Sequence, residues 1–82
     1  MSQQAEKWDQ RFAALECADA QASAVLIENS HLLPRQGKAL DLASGLGGNA
    51  IHLARAGLEV SAIDLSSVAM AKLSSYAEQQ QL

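Results

Sequence analysis

Residues 38–66, KALDLASGLGGNAIHLARAGLEVSAIDLS, constrain the fold more than any other stretch of the chain. An apolar run ends in an acid, a glycine-rich turn follows, then a short helical pattern, then a second apolar run ending in another acid. Residues 39–43 read as a strand with Leu40 and Leu42 on one side and Asp41 on the other, as a period of two requires. Residues 48–56 read as a helix through Ala50, Ile51, Leu53 and Ala54, with Gly57 as its left-handed cap. Residues 58–63 read as a buried strand. Ser66 then caps a last helix in which Ala69, Leu73, Tyr76 and Ala77 share one face. The polar tail, residues 78–82, is expected to fray.

Upstream, Trp8, Phe12 and Leu15 form one stripe of an amphipathic helix over residues 5–17. Asp19 is placed to cap a second helix carrying Val25, Leu26, Asn29, Leu32 and Leu33, which Pro34 ends; Gly37 is a turn. The order helix, helix, strand, helix, strand, helix predicts two parallel strands joined by a right-handed crossover. The fold class is α/β: a Rossmann-like β-α-β-α half over residues 37–82, with strands near 39–43 and 58–63, preceded by a helical arm over residues 1–36. Parallel sheets are normally covered on both faces and have more strands. The chain is therefore expected to be the cofactor-binding first half of a larger, doubly wound domain, with strand edges unpaired. A chain of 82 residues buries only about 60 % of its unfolded surface. With one Trp, one Tyr and one Phe, its core is expected to be thin.

A net charge of −3 and six scattered Lys and Arg argue against a nucleic-acid or anionic-membrane surface, which needs clustered cations. The single cysteine, Cys17, has no partner for an internal disulfide and reads as a small helix residue, so the expected compartment is the cytoplasm. No apolar run approaches ~18 residues, so no membrane span is expected.

Gly45 and Gly47 stand where a strand must turn sharply into a helix, and the following helix turns its unpaired N–H groups toward a ligand. Asp64 lies 17 residues beyond Gly47, near the ~20 expected of an acid that accepts hydrogen bonds from ribose hydroxyls. Residues 45–50 fit G-x-G-x-x-A, the dinucleotide fingerprint, which is a short and weak pattern. Asp41 separates the candidates: a carboxylate beside this turn repels a pyrophosphate and attracts an ammonium. S-adenosylmethionine carries an ammonium and a sulfonium and no phosphate. The alternatives are an NAD(P)-binding domain and a truncated, non-catalytic α/β interaction module.

Asp41-Leu42-Ala43-Ser44-Gly45-Leu46-Gly47 resembles the first motif of class I S-adenosylmethionine-dependent methyltransferases, an acid followed by three alternating glycines. Asn49-Ala50-Ile51-His52-Leu53-Ala54 and Val60-Ser61-Ala62-Ile63-Asp64-Leu65-Ser66 continue the likeness. Trp8-Asp9-Gln10-Arg11-Phe12 is similar to the N-terminus of the tellurite-resistance and thiopurine methyltransferase branch. The resemblance implies that Asp41 meets the methionine amino group, that Ser44, Gly45 and Gly47 line the methionine and ribose through backbone contacts, that Asp64 holds the ribose hydroxyls, and that Leu65 lies against the adenine. It implies that Trp8 and Arg11 close over the cofactor, with Arg11 near its carboxylate. Methyl transfer to a small-molecule acceptor is the implied activity, with no catalytic residue and no metal ligand assigned. The chain alone is expected to be inactive, and to self-associate or be completed by another chain. Ala43 departs from the motif by replacing its first glycine, so either φ stays negative there or cofactor affinity is reduced.

Plainer readings stand beside these. Asp41 and Asp64 can be polar residues closing strand ends, and Trp8 can simply pack on Phe12. Glu6, Lys7, Asp9 and Arg11 mix both signs as a solvated face does. His52 reads as a helix-surface residue and His31 as one near a helix C-terminus.

Overall fold

The computed structural model describes residues 3–82. In chain order the elements are α1 (Gln3–Ala13), a 3-10 turn (Cys17–Asp19), α2 (Ala24–Glu28), a second 3-10 turn (Ser30–Leu32), β1 (Lys38–Leu42), α3 (Gly48–Arg55), β2 (Glu59–Ile63) and α4 (Ser67–Gln79). The two strands pair in parallel, from Lys38 opposite Glu59 to Leu42 opposite Ile63. The ladder is extended at both ends, where the Glu59 N–H donates to the Gly37 carbonyl at 2.8 Å and the Ser44 N–H to the Ile63 carbonyl at 3.1 Å.

Alternation along the strands puts one face of the sheet against helices and leaves the other bare. Val60 and Ala62 pack on Ala50 and Ile51 of α3 and Leu73 of α4. Leu40, Leu42 and Ile63 point the opposite way and are 59 %, 67 % and 54 % exposed. The second strand is thus half covered, which corrects the expectation of a buried one. Ala69 and Leu73, on the expected face of α4, are buried. Ala69 joins a second cluster with Cys17 and Leu46, against which Phe12 and Ala20 pack. Cys17 is therefore a core residue, although on a 3-10 turn rather than a helix, and its burial pushes the thiol pKa up.

The helical arm differs most from the sequence reading. Helix α1 ends at Ala13, so Leu15 falls outside the stripe and is 46 % exposed. Asp19 closes a 3-10 turn, and the cap of α2 is Ser23, whose side chain accepts from the Leu26 N–H. That helix stops at Asn29. The Asn29 side-chain amide donates to the Val25 carbonyl at 2.8 Å and the Ser30 hydroxyl to the Leu26 carbonyl at 2.8 Å, the local side-chain competition that makes these residues poor helix interiors. Val25 and Leu32 remain solvent-exposed, so the expected apolar face is not buried.

The tail does not fray as expected. Helix α4 runs through Gln79, and Gln81 takes a left-handed φ of 60°. The Gln81 N–H donates to the Glu78 carbonyl and the Leu82 N–H to the Ala77 carbonyl, which is the double hydrogen bond of a Schellman cap.

Candidate functional site

The turn between β1 and α3 begins with a strained residue. Ala43 has φ 55°, Gly45 φ 56° and Gly47 φ 88°. Of the two outcomes expected of Ala43, a negative φ or a reduced cofactor affinity, the first is overturned: Ala43 adopts the left-handed conformation that the glycine it replaces would favour. That conformation costs an L-residue roughly 1–2 kcal/mol. Ala43→Gly is therefore expected to stabilise the fold by about 1 kcal/mol in urea denaturation. Because the strain is present with or without ligand, cofactor affinity should change by less than about tenfold.

Each glycine answers a different steric demand. A Cβ on Gly45 would lie 3.2 Å from Cζ of Phe12, one on Gly47 would overlap the Leu73 side chain, and one on Gly48 would overlap the Gln21 backbone. Gly47 and Gly48 thus let α4 and the arm approach closely, and Gly45 faces α1. The amides expected to meet a ligand are committed within the chain. Ser44 N–H donates to Ile63 O, Gly47 N–H to Ser44 O at 3.0 Å, and Gly45 N–H to Oδ2 of Asp64 at 2.8 Å. A ligand at this turn meets side chains and Cα surface before it meets free amides.

Asp64, just past β2, joins the two strand ends. Its Oδ2 takes the Gly45 N–H and its Oδ1 the Ser66 N–H at 2.9 Å. Each carboxylate oxygen has a further lone pair to offer a hydroxyl. Asp41, at the end of β1, lies in the field of Asp64. Burial first, and then that neighbouring carboxylate, raise its pKa, while the Ala50 backbone amide pulls it down. Oδ2 of Asp41 and Oγ of Ser44 are buried without a hydrogen-bond partner, a condition that calls for a physical explanation in a folded chain.

Burial thus makes the Asp41 carboxyl a weaker acid in the folded chain. The folded chain holds this proton more tightly than the unfolded one, so the neutral acid's advantage is complete below about pH 3.9 and is lost as pH rises through the raised value. At pH 7 the charged carboxylate therefore costs stability. Asp41→Asn is expected to raise the melting temperature at pH 7, and to raise it less near pH 3; paired thermal melts at the two pH values check this.

Trp8 and Phe12 of α1 stack with ring centroids 5.6 Å apart and planes 23° from parallel. With Ala43, Asp64 and Leu65 they line a pocket of about 310 Å³, at the small end for a ligand site. Trp8 thus both packs and lines the pocket. Arg11 lies with Cζ 5.4 Å from the Trp8 ring centre, outside the residues lining that pocket.

Two residues escaped the sequence reading. Asp9, taken there as part of a solvated face, accepts from the Ser66 hydroxyl at 2.5 Å and from the Val68 N–H at 3.2 Å. Lys72 donates to the carbonyls of Phe12, Ala13 and Leu15 at 3.0, 3.1 and 2.6 Å. No local pattern announces contacts between positions nearly sixty residues apart. His52, taken as a surface residue, meets the Ser30 hydroxyl at 2.8 Å. Since that hydroxyl donates to Leu26 O, His52 Nε2–H is the donor, and the pair is a tether between α3 and the arm rather than an activated nucleophile. Among the described residues no cluster of His, Cys, Asp or Glu could hold a metal ion, and no helix is long and apolar enough to cross a membrane.

The two-stranded parallel sheet and its helices make a mixed α/β unit compatible with a partial Rossmann-like fold. The chain matches the family model of the tellurite resistance protein TehB over residues 9–82 and belongs to that family, whose members are S-adenosylmethionine-dependent methyltransferases. No curated protein matches it.

Proposed function

We propose that the chain binds S-adenosylmethionine across the turn at residues 43–47 and serves methyl transfer to a small-molecule acceptor. The observation that carries this reading is the pair of carboxylates, Asp41 and Asp64, brought to the ends of the two strands, with Asp41 in the field of Asp64, beside the partnerless Oδ2 of Asp41 and Oγ of Ser44. A cation relieves that arrangement and an anion aggravates it. The methionine ammonium fits Asp41 and Ser44, the ribose hydroxyls fit the free lone pairs of Asp64, and Leu65 and Trp8 offer apolar surface to the adenine.

The bound cofactor supplies an electrophilic methyl group on a sulfonium. The chain's own residues supply orientation, which is the main requirement of an in-line transfer. Arg11, engaged with Trp8, has no part in this scheme. The NAD(P) alternative is not favoured, because a pyrophosphate needs free amides and no nearby carboxylate, and the Ser44, Gly45 and Gly47 amides are all spent.

Differential scanning fluorimetry tests the choice of cofactor. A ligand at a hundred times its Kd stabilises by about 2.7 kcal/mol, so adenosylhomocysteine is expected to raise the melting temperature and NADH to leave it unchanged. The reverse pattern would overturn the reading.

The uncovered sheet face of Leu40, Leu42 and Ile63, on a two-stranded sheet, supports self-association or completion by another chain. Sedimentation velocity is expected to show assemblies above monomer mass or an expanded species; a compact monomer with sharp cooperative melting would contradict it. A cytoplasmic location accords with the buried single thiol of Cys17.

A further inference from the structure

We propose that Asp9 and Lys72 are positioning residues that lock α1 in place as one wall of the cofactor pocket. The inference rests on the cofactor reading above and adds how the pocket wall is held. Helix α1 spans 11 residues and buries none of them fully. A helix of that length is marginal on its own; Phe12 packs it against a core cluster, and polar contacts add to that seat.

Two such contacts act at opposite helix ends. The Asp9 carboxylate sits at the amino end of α4, bonded to the Val68 N–H and to the wholly buried Ser66. There the exposed amides favour negative charge. Lys72, farther along α4, places its ammonium on the carbonyls that close α1, where positive charge is favoured. Each helix thus corrects the other's terminus. Because the two locks lie at separate points along both helices, they fix rotation as well as position.

The locked segment carries the pocket wall. Phe12, whose carbonyl Lys72 holds, rests on Gly45, and Trp8 stacks on Phe12 and faces Ala43, Asp64 and Leu65. The same Ser66 that donates its hydroxyl to Asp9 donates its N–H to Asp64. Asp9 therefore acts on the ribose-facing carboxylate through Ser66, without touching the ligand.

Trp8 is the chain's one tryptophan, so its fluorescence reports α1 directly. In Asp9→Ala and in Lys72→Met, acrylamide quenching of Trp8 is expected to rise at least about twofold as α1 opens locally. Adenosylhomocysteine affinity should fall at least about tenfold, while amide exchange at Ile51 and Leu73 keeps its protection. Asp9→Asn retains an acceptor oxygen for Ser66 and should keep most of the Trp8 protection. The double variant should expose Trp8 little more than either single one, because both locks hold one unit. Trp8 remaining as protected in both single variants as in the parent would overturn the proposal, and so would a freed Trp8 with cofactor affinity unchanged. If the parent chain itself bound no adenosylhomocysteine, the cofactor reading would fall, and the quenching data would still decide whether the two residues seat α1.

Discussion

Gly48→Ala is expected to destabilise the fold by about 3 kcal/mol, at the upper end of overpacking changes. Helix propensity alone gives the opposite sign, since alanine in place of a helical glycine gains up to about 1 kcal/mol. The steric demand decides the outcome. A Cβ at Gly48 would overlap backbone atoms of Gln21 rather than a movable side-chain end. That backbone cannot easily retreat, because the Ser23 N–H is held by Oδ1 of Asn49 at 2.8 Å, one residue beyond Gly48. At Gly47 the obstruction is a Leu73 side chain, but φ is 88°, so Gly47→Ala should cost less by overlap and more by backbone strain. Urea denaturation of Gly48→Ala measures the effect directly. An unchanged or raised midpoint would mean that the arm is not seated on α3 as described.

Asp64→Ala is the second large effect, and it acts on stability and binding together. The substitution strands the N–H groups of Gly45 and Ser66, both partly buried donors, and each unsatisfied donor costs about 1–3 kcal/mol. It also removes the acceptor proposed for the ribose hydroxyls. Hydrogen bonds to a charged group contribute about 1.5–3 kcal/mol each, so adenosylhomocysteine affinity should fall about a hundredfold, which is about 2.7 kcal/mol. Asp64→Asn should lie between parent and alanine variant, since it keeps one acceptor oxygen but sets an amide N–H against a backbone N–H. Calorimetric titration of the three chains gives the order. Equal affinity in all three would remove Asp64 from the site.

The β-α-β-α part was legible in the sequence because its signals are local. Gly57 at φ 104°, Ser66 accepting from the Ala69 N–H, and the alternation of Asp41 with Leu40 and Leu42 each concern residues a few positions apart. The arm was not legible, because its outcome rests on competition. Asn29 and Ser30 divert backbone carbonyls that a longer helix would need, and apolar spacing at Val25 and Leu32 gives no hint of this.

For the candidate site, only the placement of residues was legible. The positions of Asp41, Asp64 and the glycine turn followed from spacing, whereas the commitment of the Ser44, Gly45 and Gly47 amides within the chain did not. Nor did Ala43's positive φ, which spacing cannot reveal because alanine ordinarily avoids it. Asp9 and Lys72 were hidden for a further reason: a charged residue on an exposed helix reads as solvated until the helix opposite is known.

We propose that the paired carboxylates beside the glycine turn select a cationic, ribose-bearing cofactor. Isothermal titration of the 82-residue chain with S-adenosylmethionine, with NADH as competitor, decides this. The expected result is a saturable one-to-one heat that adenosylhomocysteine abolishes and NADH leaves intact; no saturable heat, or displacement by NADH, would contradict it.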